Sequence, residues 1–64
     1  MKRNVIRINA EDFMTFWNIG PLVFNAVHRY LAEEARKEGK TVRLTKGGVT
    51  EAEMAWVDEK FQNF

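Results

Sequence analysis

The sequence of 64 residues contains no cysteine and no serine, and its only histidine is His28. These absences exclude a disulfide framework and the usual Cys/His zinc sites. They also exclude the common Ser/His and Cys/His pairs of nucleophilic catalysis. His28 falls on the polar face of a predicted helix beside Arg29, where a solvated side chain explains it. We therefore predict a protein that is not an enzyme and that binds no metal and no cofactor.

Few other residues could form a metal-binding or phosphate-binding site. Two adjacent carboxylate pairs could in principle ligate a hard cation: Glu11/Asp12 and Glu33/Glu34. Neighbouring side chains on a helix point about 100° apart, however, so neither pair converges on one ion. Gly47 and Gly48 precede a predicted helix but lack the spacing and the Gly-Lys-Ser/Thr ending of a phosphate-binding loop. A turn into the helix explains both glycines.

Long apolar runs are absent too. No stretch approaches the roughly 20 apolar residues that a membrane span requires. Lys2 and Arg3 are not followed by an apolar segment before Glu11, so the N-terminus does not have the pattern of a signal peptide. We expect a complete cytoplasmic chain with no membrane partner. A chain this short buries only about 60% of its unfolded surface, so we also expect one small domain over residues 1–64.

Two short basic segments have the alternation of β-strands. Asn4–Asn9 and residues 41–45 both alternate aliphatic residues with arginine and polar residues. A ribbon built from them would bury four aliphatic side chains: Ile6, Ile8, Val42 and Leu44. Its outward face would carry Arg7 and Arg43. Each segment lies in a cationic stretch, since residues 1–8 and 40–46 hold three cations each and no carboxylate.

Two helices are predicted between these strands. Asn9 is a suitable N-cap for the first, which places three aromatic residues on one face: Phe13, Phe16 and Trp17. Gly20-Pro21 ends it, and a second helix is predicted over residues 21–38 because proline is tolerated at a first helical position. Gly39 then provides a left-handed C-cap.

The third helix has the strongest local signal. Thr50 and Glu53 match the capping-box pattern, and Val49 with Met54 forms the accompanying hydrophobic staple. The helix is therefore predicted to begin at Glu51. Its apolar stripe is predicted to be Met54, Val57, Phe61 and Phe64, with Trp56 at the margin of the core or exposed.

These elements predict an α+β fold of order β-α-α-β-α. If each helix reverses the chain, the second strand runs antiparallel to the first. The expected architecture is a two-stranded antiparallel ribbon packed against three helices. Such a ribbon has two open edges, which self-association as a homodimer or strand addition by a partner would cover.

The alternation of residues in the first strand raises DNA binding as a possible function. Outward Arg3, Val5 and Arg7 alternate with inward Ile6 and Ile8, and two helices follow. Over about residues 2–38 this arrangement resembles the ribbon-helix-helix repressors, whose paired strands enter the major groove. Asn4 occupies an inward position of that pattern, and a further strand and helix are appended, so we do not assign the chain to the family. The resemblance implies a DNA-binding regulator as the alternative function.

The other pattern concerns protein partners. Six large apolar residues are difficult to place together in so small a core: Met14, Ile19, Leu22, Tyr30, Trp56 and Phe64. We expect one or two of them to stay outside, and exposed Trp beside arginine is typical of interface hot spots. The sequence therefore predicts a non-catalytic binding protein that occupies a surface of a macromolecular partner, as small inhibitors and regulators do, including those of phages. The predicted contact residues are Arg3, Arg7, Arg43, Lys46 and Trp56.

Overall fold

The computed structural model describes residues 4–64, which form two strands and three helices. The elements are β1 (Asn4–Asn9), α1 (Ala10–Trp17), α2 (Pro21–Lys37), β2 (Lys40–Thr45) and α3 (Glu51–Gln62). The predicted α+β class and the order β-α-α-β-α are confirmed. None of the helices in this part of the chain is both long enough and apolar enough to cross a membrane.

The two strands are parallel, so the predicted antiparallel pairing is wrong. Asn4 pairs with Lys40 and Asn9 with Thr45, and the register is continuous between them. The reason is the unequal length of the helices. α1 has 8 residues and extends only about 12 Å, whereas the 17 residues of α2 extend about 25 Å, enough to run back along the whole sheet. The chain therefore reverses fully once between the strands, and β2 starts beside the start of β1.

Capping residues set the helix boundaries close to the predicted positions. The Asn9 side chain accepts a hydrogen bond from the Asp12 N–H at 3.0 Å and so caps α1. α1 ends at Asn18, which adopts a left-handed conformation with φ of 54°. Gly39 has φ of +72° after α2, as expected for a glycine that turns the chain directly into β2. Both reciprocal bonds of the predicted capping box are present at Thr50.

The core lies between the sheet, α2 and α3. α2 packs mainly on β2, α3 packs on β1, and the two helices contact each other. Val27 and Leu31 on α2 are fully buried. The other buried apolar residues are Ile6, Ile8, Phe13, Phe24, Ala35 and Val57.

Five apolar side chains predicted to face the core, including Val23 on the apolar stripe of the second helix, are exposed instead: Phe16, Val23, Leu44, Met54 and Phe64. Leu44 lies next to the last residue of β2 and is 47% exposed, whereas its register partner Ile8 on β1 is buried. On α3 the buried positions are Glu53 and Val57 rather than Met54. Of the six large apolar residues judged difficult to bury, Leu22 and Phe64 lie outside.

Candidate functional site

The sheet brings two of the predicted contact residues together. Arg7 and Arg43 are register partners on adjacent strands, and both are exposed on the sheet face opposite Ile6 and Ile8. Lys46 follows β2 directly and is also exposed. Arg3 lies outside the described residues. Like charges placed directly opposite each other on a sheet are destabilising, so a nearby carboxylate would stabilise the Arg7–Arg43 pair.

That carboxylate is Glu53 on α3. Its Oε2 accepts hydrogen bonds from Arg7 Nε at 2.9 Å and from the Arg7 backbone N–H at 3.0 Å, and its Oε1 accepts one from Arg7 Nη2 at 3.1 Å. The Arg7 amide therefore points away from β2, and α3 covers the second edge of β1 at this residue. The guanidinium that was predicted to contact a partner is already paired within the fold.

Glu53 also closes the capping box of α3. Its Oε1 accepts hydrogen bonds from the Thr50 N–H at 2.8 Å and from the Thr50 hydroxyl at 3.0 Å. These donors, with the Arg7 side chain first among them, lower the pKa of the Glu53 carboxyl from 4.5 to about 2. A single buried carboxylate thus joins the start of α3 to the middle of β1.

Trp56 is held by a second carboxylate. Its Nε1 donates a hydrogen bond to Glu38 Oε1 at 2.9 Å, and Lys60 Nζ lies 5.8 Å from the ring centroid. Lys60 and Lys40 also bind the Glu38 carboxylate. Hydrogen bonds from Lys60, Trp56 and Lys40, in that order, lower the pKa of Glu38 to about 2. Trp56 is half-buried, at the core margin as predicted, and it anchors α3 to the end of α2.

Acid is expected to destabilise the protein through these two carboxylates. The pKa of each lies at about 2 in the folded chain and at 4.5 without its partners, so the unfolded chain binds more protons below about pH 4.5. Their contribution is complete above about pH 4.5 and is lost as the pH falls through about 2. Urea unfolding of the wild type and of Glu53→Gln at a series of pH values would measure this effect. The variant should show a shallower loss in acid, and parallel curves for the two proteins would contradict the prediction.

A groove that was not predicted from the sequence lies between α1 and α3. It has a volume of about 510 Å³ and is partly open to solvent. Ile8, Phe13 and Val57 line it from the core, and the loop residues Gly48 and Val49 contribute to its lining. α1 contributes Asp12, Thr15, Phe16 and Trp17, and α3 contributes Met54 and Asp58.

The loop wall of this groove is tied to α1. Asn9 Nδ2 donates hydrogen bonds to the carbonyl oxygens of Lys46 and Gly47, at 3.3 and 3.0 Å. The same side chain caps α1 through its oxygen. One asparagine therefore sets the position of α1 relative to the loop that leads into α3.

The exposed groove surface is mostly apolar. Phe16 is 73% exposed on α1 and Met54 is 51% exposed on α3. Phe16 packs edge-on against Trp17, with ring centroids 5.1 Å apart. Trp17 Nε1 is buried and has no hydrogen-bond acceptor among residues 4–64. Large apolar side chains beside a pocket, with few polar groups, are typical of a binding site.

The sequence contained a partial signal for this groove. The sequence pattern placed three aromatic residues on one helix face: Phe13, Phe16 and Trp17. The core covers only part of this face, and Phe16 stays exposed. Phe13 contacts Phe24 and Phe61, while Phe16 contacts only the neighbouring ring of Trp17 among the aromatic residues described. Helical spacing alone could not say which edge of the face would be left uncovered.

The groove and the sheet face are the two candidate surfaces of the described chain. Among residues 4–64 no group of three or more His, Asp and Glu side chains is gathered in a way that could hold a metal ion. Comparison with protein-family models, with curated proteins and with solved structures found no match for this chain.

Proposed function

We propose that the protein is a non-catalytic binding protein that occupies a surface of a protein partner, as an inhibitor or an adaptor does, and that its main contact is the groove between α1 and α3. The observation that carries the proposal is the pair Phe16 and Met54, which are exposed on the two helices flanking a pocket of about 510 Å³. Exposed apolar surface beside a pocket marks interaction sites on small soluble proteins.

Some of the contact residues predicted from the sequence are engaged within the fold, and others are not. Arg7 pairs with Glu53, and Trp56 donates a hydrogen bond to Glu38. The predicted contact residues Arg7 and Trp56 therefore have a structural role in the fold. Arg43 and Lys46 are exposed and form no salt bridge within residues 4–64. The alternative, DNA binding through the sheet face, would use Arg43 together with Arg3 and Arg7.

The DNA-binding alternative has less support. A ribbon-helix-helix repressor pairs its strand with that of a second subunit, whereas β1 here pairs with β2 on one edge and contacts Glu53 on the other. The Arg7 charge is also neutralised by Glu53. A homodimer through the outer edge of β2 remains compatible with either function.

Capture of the partner by groove variants tests the proposal. The tagged protein would be used to recover partners from a lysate of its source, with and without nuclease and at two salt concentrations. We expect one protein to be retained under all conditions by the wild type. Phe16→Glu and Met54→Glu should each weaken its capture at least about tenfold, because each places an unpaired charge in an apolar contact.

The matched control is Leu22→Glu, because Leu22 is 85% exposed and lies outside the groove lining. It should leave capture unchanged. If both groove variants retain the partner as well as the wild type does, the groove is not the contact. Recovery of nucleic acid that is lost at high salt or after nuclease, and that Arg43→Glu abolishes, would instead establish the DNA-binding alternative.

A further inference from the structure

We infer that the segment of the partner that enters the groove is a basic amphipathic helix, an inference that rests on the proposed function. The first support is charge. Asp12 and Asp58 line the groove on its two helices, and neither carboxylate has a salt-bridge partner within residues 4–64. Glu11 and Glu51 are exposed in the first turns of the same helices. Cationic side chains on both sides of an occupant would therefore meet carboxylates that form no salt bridge within residues 4–64.

The cationic side chain in the groove lining does not offset this negative charge. Arg7 forms a bidentate pair with Glu53, so its charge is already compensated. Two other cations lie two residues from a lining residue, and neither lines the groove itself. Lys60, near Asp58, is paired with Glu38, and Lys46 lies in the loop that contributes Gly48. The lining thus favours a cationic occupant over an acidic one.

The second support is the nature of the groove walls. α1 and α3 satisfy their backbone groups internally, so their sides offer no row of amides and carbonyls with which an extended strand could pair. A helix satisfies its own backbone and needs only a groove for its apolar stripe. Phe16 and Met54, on opposite walls, would contact side chains spaced at i, i+3 or i+4, and i+7.

An unbiased selection tests the inference. A phage library of random 16-residue peptides would be selected on the immobilised protein, and each enriched clone would be tested against Phe16→Glu. We expect the clones that depend on Phe16 to carry an excess of Lys and Arg and to place large apolar residues at helical spacing. Groove-dependent clones that are neutral, acidic or extended would overturn the inference and leave the proposed function standing. A selection in which no clone distinguishes Phe16→Glu from the wild type would overturn both.

Charge variants of the protein give the second measurement, with the selected peptide as probe. Asp58→Asn and Asp12→Asn should each weaken its binding about two- to fivefold and reduce its dependence on salt, as expected for loss of one exposed ion pair. Glu59→Gln is the matched control, because Glu59 is exposed next to Asp58 but does not line the groove. Equal effects of Glu59→Gln and Asp58→Asn would show that only net charge matters and would overturn the assignment of the groove carboxylates.

Discussion

Replacement of Phe13 by alanine is expected to remove a large part of the protein's stability to unfolding. Phe13 is 8% exposed and packs edge-on against Phe24 and Phe61, with ring centroids 5.6 and 5.2 Å away. Truncating a buried phenylalanine costs about 3–5 kcal/mol of the free energy of unfolding. At about 0.05–0.15 kcal/mol per residue, a chain of this size has only about 3–10 kcal/mol in total. Urea unfolding followed by circular dichroism would measure the loss.

The same helix provides the control for this prediction. Phe16 lies three residues later and is 73% exposed, so Phe16→Ala should change the free energy of unfolding by no more than about 0.5 kcal/mol. It should nevertheless weaken capture of the partner. Similar losses of stability for Phe13→Ala and Phe16→Ala would contradict the assignment of one ring to the core and the other to the exposed surface.

Replacement of Glu53 by alanine is the second large effect that we expect. The side chain accepts hydrogen bonds from the backbone and guanidinium of Arg7 and from the backbone and hydroxyl of Thr50. Its loss removes the capping box, uncovers the edge of β1, and leaves Arg7 opposite Arg43 without a neutralising charge. We expect the free energy of unfolding to fall by about 2–4 kcal/mol. Chemical unfolding at neutral pH would measure it.

A paired substitution separates the ion pair from simple packing. The double variant Arg7→Leu, Glu53→Leu removes both charges and should recover part of the stability that Glu53→Ala loses, because no charge is left without its partner. The capping box would still be absent, so recovery should be incomplete. A Glu53→Ala protein as stable as the wild type would show that the Arg7–Glu53 pair is not a structural contact.

The carboxylate of Glu53 also links stability to the proposed site. Glu53 lies in the first turn of α3, and the next residue, Met54, is exposed at the groove. Asn9 has the same role for α1. It caps the helix that carries Phe16 and donates hydrogen bonds to carbonyl oxygens of the loop before α3. Two polar side chains therefore hold the walls of the groove in position, which would reduce the entropy cost of the proposed binding.

Local signals in the sequence predicted the elements well. Asn9 begins α1, Pro21 begins α2, Gly39 ends the turn after it, and Thr50 with Glu53 begins α3. Each of these residues acts through hydrogen bonds or backbone angles within a few positions along the chain. The surface residues were harder to predict. Arg7 looked like an outward contact because its partner Glu53 is 46 residues away.

The amino-acid sequence by itself determined the order of the strands and helices and the start of each helix, because caps and alternation depend on neighbouring residues. It did not determine the end of α1, which the left-handed Asn18 sets before the predicted Gly20-Pro21. Only the tertiary structure decided that the strands are parallel, since the direction of β2 depends on how far α1 and α2 carry the chain. The tertiary structure also decided which aromatic side chains stayed outside. Phe13 and Phe16 have the same chemistry and lie on the same helix, but the neighbours that bury Phe13 come from α2 and α3. The groove beside Phe16 exists because those helices leave that edge of α1 uncovered.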